Sequence, residues 1–241
     1  MLIIAIDTSG KSGGVTLAEG DALSFRAIES SAISGGTFSA QLVPTVAELL
    51  RKHGLAVKDL GGFAVVSGPG SFTGLRIGLS AIKGLAEVLQ KPIATVSLLE
   101  AVASLPNVAS SLNLTSSSKT HVTVAAVLDA SRGEFFLGLY AFAGDGTGKM
   151  QHEALCSQAE LLDEIQSDTQ PAVITCDESV ARVLSTLHIP HEVAPRPDSA
   201  LIAQLGLRKI LAGQTTPVEA LDANYLRRSD AEVLLLKGSH K

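Results

Sequence analysis

The chain of 241 residues has only two cysteines, Cys156 and Cys176. With no secretion signal ahead of them, they read as two reduced, buried thiols and not as a disulfide framework. Charge is also sparse. Charged residues make up 18% against 46% apolar, too few charges and too much apolar content for a disordered chain. A basic excess is lacking: 19 Lys and Arg stand against 24 Asp and Glu, a formal charge of −5. That balance argues against strong sequence-independent binding of nucleic acid by this chain alone. No apolar run reaches the roughly 18 residues of a membrane span. The opening MLIIAIDTS meets an acid at Asp7 without a basic leader, so it is not read as a signal peptide. These absences lead us to expect a soluble, cytoplasmic protein with no membrane partner. A chain of this length buries roughly 70–75% of its unfolded surface, so its core needs no metal or disulfide staple. One large domain or two lobes both fit the length.

The order of elements favours two lobes. Leu2 to Ile6 is a continuous apolar run, the mark of a buried strand. A polar, Gly-rich turn from Asp7 to Gly14 follows, and Val15–Ala18 and Ala22–Ile28 read as two more strands joined at Glu19-Gly20-Asp21. Ser39–His53 has helical spacing in Leu42, Val46 and Leu49, with Pro44 inside it and Gly54 as a C-terminal cap. Phe63–Val66 is a strand, a helix runs to about Gln90, Ile93–Val96 is a strand, and Leu98–Ser104 is a short helix. Residues 106–120 are rich in Ser and Asn and read as a loop between lobes; they include the glycosylation-like tripeptide Asn113-Leu114-Thr115. The second half repeats the order: strands over Val122–Leu128, Phe135–Phe142 and part of 150–156, then helices at Gln158–Ile165, Ser179–Leu187 and Ser199–Leu211, with a strand at Ala172–Thr175. Asp198 and Gly213 fit as caps of the last helix. The boundary is expected between an N-terminal lobe, 1–105, and a C-terminal lobe, 106–241.

Three segments invite chemistry. Asp7-Thr8-Ser9 ends a buried strand; its carboxylate could hold Mg²⁺ through water while turn N–H groups face phosphate, or the turn simply bonds its own backbone. Gly68-Pro69-Gly70-Ser71-Phe72-Thr73-Gly74 joins a strand to a helix N-terminus, a natural anion site. It is neither a Walker A loop, since Leu75-Arg76 follows Gly74, nor a nucleophile elbow, since Pro69 and Thr73 stand where glycines are required. Capping by Ser71 or Thr73 accounts equally for its hydroxyls. Asp129-Ala130-Ser131-Arg132-Gly133-Glu134 turns between two strands; it could bring two acids and an arginine to a cleft, or be a solvated hairpin. Ser80-Ala81-Ile82-Lys83 fits the S-x-x-K pattern without the elements that should accompany it. His188 and His191 flank Pro190 with no further ligand at suitable spacing, so no metal is expected.

The helix after Gly74 carries three stripes. Arg76, Ser80, Lys83, Glu87 and Gln90 are polar; Leu75, Leu79, Ile82, Ala86 and Leu89 are apolar; Gly74, Gly78, Ala81, Leu85 and Val88 are small or apolar. A helix with one wet side needs one apolar stripe, so this one packs on its sheet and on something more. Gly74 and Gly78 cost roughly 1 kcal/mol each in an exposed helix, which calls for a packing reason. Periodicity does not say whether the second cover is a helix of the same chain or another protein.

At Ile6-Asp7-Thr8-Ser9, at Gly68 through Gly78, at Asp129 through Glu134 and at Tyr225-Leu226-Arg227, the sequence resembles the bacterial TsaB (YeaZ) family, in family order along nearly the whole chain. The motif residues are Gly68, Pro69, Gly70, Phe72, Arg76, Arg132, Glu134, Tyr225 and Arg227. The resemblance implies an α/β fold of the two-lobed actin-like ATPase kind (ASKHA, ribonuclease H-like), each lobe a mixed sheet with helices. It implies a role in forming threonylcarbamoyladenosine beside the anticodon of tRNAs that read codons starting with A. In that system TsaD, a paralogue, is the metal-bearing transferase, the TsaE ATPase joins the complex, and the TsaB subunit is non-catalytic. The H-x-x-x-H metal motif of TsaD and a clear Gly-rich adenosine segment are missing here. The resemblance therefore implies no catalytic residue, no metal and no cofactor of its own, with ATP, Mg²⁺ and metal on the partners and tRNA met through the complex. It places the TsaD-docking face on Leu42, Val46, Gly74, Leu75, Gly78, Leu79, Ala81 and Ile82, and it leaves Asp7, Thr8, Ser9, Ser71, Thr73 and Asp129 as a vestigial phosphate site. Such a face would also pair two copies when TsaD is absent. Phe38 departs from the His that many relatives carry there. The competing expectation is an ATP-binding enzyme of the same fold.

Overall fold

A computed structural model describes residues 1–34, 36–105, 121–143, 148–167 and 169–226. The 106–120 segment, its Asn113 tripeptide and Arg227 lie outside the described residues. In chain order the elements are β1 (Leu2–Asp7), β2 (Ser12–Gly20), β3 (Phe25–Ser34), α1 (Phe38–Lys52), β4 (Gly62–Gly68), α2 (Phe72–Leu89), β5 (Ile93–Ser97) and α3 (Leu98–Ala103). Then follow β6 (His121–Asp129), β7 (Glu134–Ala143), β8 (Gly148–Ser157), α4 (Gln158–Ile165), β9 (Ala172–Thr175), α5 (Glu178–Thr186), β10 (His191–Val193) and α6 (Ser199–Leu211).

The chain folds into two units, one made of Met1–Leu105 together with Pro195–Asn224, the other from the segment between and the chain from Tyr225 onward. The expected division at 105/106 matches the first boundary, but 195–224 return to the first unit. The reason is packing. The apolar side of α6, with Ile202, Ala203, Leu205, Gly206 and Leu207 buried, lies on β1, β2, β4 and β5.

In the first unit the sheet runs β3-β2-β1-β4-β5. The β1–β2 and β2–β3 pairs are antiparallel, and β1–β4 and β4–β5 are parallel. Strand alternation gives the sheet two unlike faces. Ala5, Thr16, Ala64 and Ala94 share one, as their pairing register requires. These small residues let α6 approach closely: a Cβ on Gly206 would stand 2.2 Å from the Ala64 Cβ. The other face carries Ile4, Ile6, Leu17, Phe63 and Val65, all buried, and receives α1 and α2. Past α6 the chain returns along the sheet, where Thr216 N donates to Ile93 O (2.8 Å) and Asn224 N to Ser67 O (2.7 Å).

The second unit has the order β10-β9-β6-β7-β8, again an antiparallel trio, β6 to β8, followed by two parallel pairs. Strand for strand it repeats the first unit, so the duplication expected from element order holds at the level of topology. Its core gathers Val127, Phe135, Leu137, Leu161, Val180 and Leu184 beneath α4 and α5.

Local signals explain most boundaries. Ser157 and Glu160 form a capping box at α4, and Asp198 caps α6 by accepting from Leu201 N at 2.9 Å. Gly54 takes φ +67° after α1 as expected of a cap. The β2–β3 turn falls at Asp21–Ser24, later than expected, because the Asp21 carboxylate accepts from Leu23 N and Ser24 N. These bonds hold that carboxyl below its usual range.

Candidate functional site

The Gly68–Gly78 segment turns out of β4 into α2, and Ser71 caps the helix, its Oγ accepting from Gly74 N at 3.2 Å. Gly68 needs its missing side chain: its φ is +135°, and a Cβ would stand 2.8 Å from Asn224 O.

The stripes of α2 then sort themselves. Leu75, Leu79, Ile82 and Ala86 are buried against the unit's own sheet, and the polar stripe is exposed. Gly74 and Gly78 also face inward. A Cβ at Gly74 would lie 2.0 Å from Thr8 O, and one at Gly78 2.4 Å from Thr8 Oγ1. What they admit is the chain's own turn after β1, the Thr8 backbone at Gly74 and the Thr8 hydroxyl at Gly78. Leu42 and Val46 of α1 are likewise buried. Of the eight residues expected on the docking face, Ala81 is the one that is not buried.

What α1 and α2 leave open is a groove of about 540 Å³ whose lining includes Phe38, Leu42, Val43, Phe72, Thr73, Arg76, Ile77 and Ala81. Val43 is 61% exposed and Phe72 41%, and Val88 further along α2 is 81% exposed. The Arg76 guanidinium lies over the Phe72 ring, 3.8 Å from its centroid. Ile77 and Val43 stand outside the residues singled out from the sequence. The signal for Ile77 was its i−4 relation to Ala81, which extends the line Ile77, Ala81, Leu85, Val88, the first three half-buried and the last exposed. Phe38, 4% exposed, opens α1 and lines the groove's floor. Its ring reaches the β1–β2 turn, where a Cβ on Gly13 would stand 3.1 Å from it.

The Asp7 turn is filled by its own residues. Asp7, Thr8 and Ser9 are 3%, 1% and 2% exposed. Asp7 Oδ1 accepts from Ser9 N (2.8 Å) and Ser9 Oγ (2.5 Å), Ser9 Oγ accepts from Arg196 Nη2 (2.9 Å), and Ser9 O accepts from Ser71 N (2.7 Å). A Cβ on Gly70 would fall 2.4 Å from Ser9 O. The glycines of this corner are thus occupied by the chain itself. Ser71 serves as a cap, and Thr73 points to the groove. Asp7 Oδ1 and the Ser9 N–H, two groups that a metal-bound phosphate would call on, are bonded to each other here.

Asp129 belongs to the second unit. Its Oδ1 accepts from Ser131 N (2.7 Å), and its own N–H donates to Asp177 Oδ2 (2.8 Å). Ser131, Arg132 and Gly133 all have positive φ, +62°, +59° and +76°, and Glu134 N closes the turn on Ser131 O (3.1 Å). Tyr225 is half-buried. Cys156 is buried, its thiol pushed up to about 11, first by burial and then by Glu160, Glu164 and Glu134; Cys176 is half-buried, and neither forms a disulfide. Among the described residues no group of three or more His, Cys, Asp or Glu is placed to hold a metal, and no helix is long and apolar enough to cross a membrane.

A family model described as TsaD: tRNA N6-adenosine threonylcarbamoyltransferase matches residues 32–198. That match, over more than half of the chain, sets the class as α/β proteins of the threonylcarbamoyltransferase kind. The tRNA threonylcarbamoyladenosine biosynthesis protein TsaB of Bacillus subtilis is 29% identical over 241 residues, 96% of each chain. A solved structure of YeaZ from Pseudomonas aeruginosa superimposes with a TM-score of 0.71 at 23% identity, over 93% of this chain and 99% of that one. A 67-residue stretch is 40% identical to a tRNA N6-adenosine threonylcarbamoyltransferase of Methylorubrum extorquens, covering 28% of this chain and 19% of that one. The chain belongs to the TsaB (YeaZ) family.

Proposed function

We propose that this chain is the non-catalytic subunit of the machinery that makes threonylcarbamoyladenosine in tRNA, and that it acts in the cytoplasm by docking on and activating the TsaD transferase. The observation that carries the reading is the groove between α1 and α2. It is open and apolar, it adjoins the family's Gly-rich segment, and it leaves Val43 and Phe72 in solvent. Exposed apolar surface of this kind marks a protein interface. A helical edge of TsaD is the occupant, TsaE joins the pair, and tRNA is met by the complex. ATP, Mg²⁺ and the catalytic metal belong to the partners. Without TsaD, two copies cover the same face. The ATP-binding enzyme is the weaker reading, because the Asp7 turn is closed on itself.

Co-purification with the organism's own TsaD tests this, using the wild-type chain beside Ala81→Trp and Ile77→Glu. Both substitutions enter the groove and spare the core. Association lost in both, with unchanged melting, is the expected result. Wild-type chain that does not associate would overturn the function, and association indifferent to both variants would overturn the site. Gly78→Trp is unsuited as a probe, since its side chain would be driven into Thr8.

A further inference from the structure

Asp7 is a carboxylate 3% exposed at the carboxyl end of β1, beside the parallel strand β4. Open α/β sheets take ligands at such carboxyl ends. A buried carboxylate is costly unless it is hydrogen-bonded and its charge is compensated. Here a cation reaches the turn from far along the chain, through Ser9. Arg196, just ahead of α6, reaches the turn and donates from Nη2 to Ser9 Oγ, which itself donates to Asp7 Oδ1. Gly10 makes the room: a Cβ there would stand 3.1 Å from the guanidinium carbon. Two buried polar atoms of this corner, Thr8 Oγ1 and Arg196 Nε, have no hydrogen-bond partner, so the guanidinium is held there at some cost in unmet bonds.

We propose that Arg196 is the resident cation of the Asp7 turn: it occupies from within the place that a metal-bound phosphate would need, and it closes this corner to nucleotide. An arginine suits the role because its charge persists at all working pH values and its planar fork packs close beside Gly10. The contact also ties the start of α6 to the end of β1, which are 189 positions apart, from Asp7 to Arg196.

Thermal and denaturant melting of four full-length proteins tests it: wild type, Asp7→Asn, Arg196→Ala and the double variant. Arg196→Ala removes the cation and the donor to Ser9 Oγ and lowers the folding equilibrium constant on the order of tenfold to a hundredfold. Asp7→Asn keeps the acceptor for Ser9 N and removes the charge, so the double variant recovers part of that loss. A guanidinium that merely fills space predicts losses that add, and additive losses would overturn the proposal. A double variant that fails to fold alongside Arg196→Ala overturns it equally. Calorimetric titration of the wild type with Mg·ATP reads the second half of the claim without any variant. No saturable heat is expected, and saturable heat abolished by Asp7→Asn would refute the closed corner.

Discussion

Alanine in place of glycine within a helix ordinarily stabilises it by about 1 kcal/mol. α2 offers three such sites with three different surroundings, so one substitution can be made to help, to hurt mildly and to hurt badly. At Gly84 nothing lies within 4 Å of an added Cβ. Gly84→Ala therefore gains about 1 kcal/mol, which raises the melting temperature by about 2–4 °C in a chain of this size. At Gly74 the same Cβ would stand 2.0 Å from the Thr8 carbonyl oxygen, a backbone atom fixed by the buried end of β1. Overpacking costs about 1–3 kcal/mol, and a rigid neighbour puts this site in the upper part of that range. After the propensity gain, the net loss is about 2 kcal/mol, or a fall of about 4–8 °C. Gly78 falls between. Its Cβ would meet Thr8 Oγ1 at 2.4 Å, a hydroxyl that can rotate although its residue is 1% exposed. Circular dichroism melts rank the three, and hydrogen exchange of α2 amides locates the change. Gly74→Ala melting at or above the wild type, or all three variants moving together, would refute the view that these glycines exist for contact with the β1 turn.

The thiols separate cleanly: Cys156, buried and pushed up to about 11, is thiolate to roughly one part in a thousand at pH 8, so a maleimide or iodoacetamide should label Cys176 of the folded chain and spare Cys156, as peptide mapping would reveal. Asp198→Ala, which removes the acceptor for Leu201 N, should lower stability by about 1 kcal/mol, while Asp198→Asn should keep most of it in the same denaturant titration. Gly206→Ala should be destabilising because its Cβ would lie 2.2 Å from that of Ala64, and Ala64→Gly in the same chain should restore part of the loss; an additive double variant would break the argument that the two touch. The Glu160 carboxyl is held below its usual range by its bonds to Ser157 N and Oγ. The stability it lends is present above the ordinary glutamate range and is lost as pH falls through it, and Glu160→Gln should flatten that acid limb of the melting curve.

Local order carried much of the fold into the sequence. β1 was legible because both its faces are covered, which writes itself as an unbroken apolar run. The caps at Ser71, Gly54 and Asp198 were legible because capping depends on neighbours three or four positions away. α6 was not assigned to its sheet, since its partners Ala64 and Ala94 lie more than a hundred positions upstream and no period records them. β10 is three residues with a charged centre, too short to leave a pattern. The candidate site was half legible. The Gly-rich segment and the two-sided character of α2 stood out. Which side faced inward did not, because Gly74 and Gly78 serve a turn of the same chain, and a small residue looks alike whether it admits a partner's backbone or its own.

The return of residues 195–224 to the first unit bears on how the protein is made. When Leu105 leaves the ribosome, the face of the sheet bearing Ala5, Ala64 and Ala94 still has no α6 to cover it. At roughly 5–20 residues per second, the 119 residues from Leu105 to Asn224 take on the order of 6–24 s to arrive. Throughout that interval the half of the molecule synthesised first is the half that cannot finish folding, and the later half, contiguous in sequence, can be complete before it. A nascent chain of this kind has a timed need for chaperone cover, confined to one face of one sheet and ended by the arrival of a single helix.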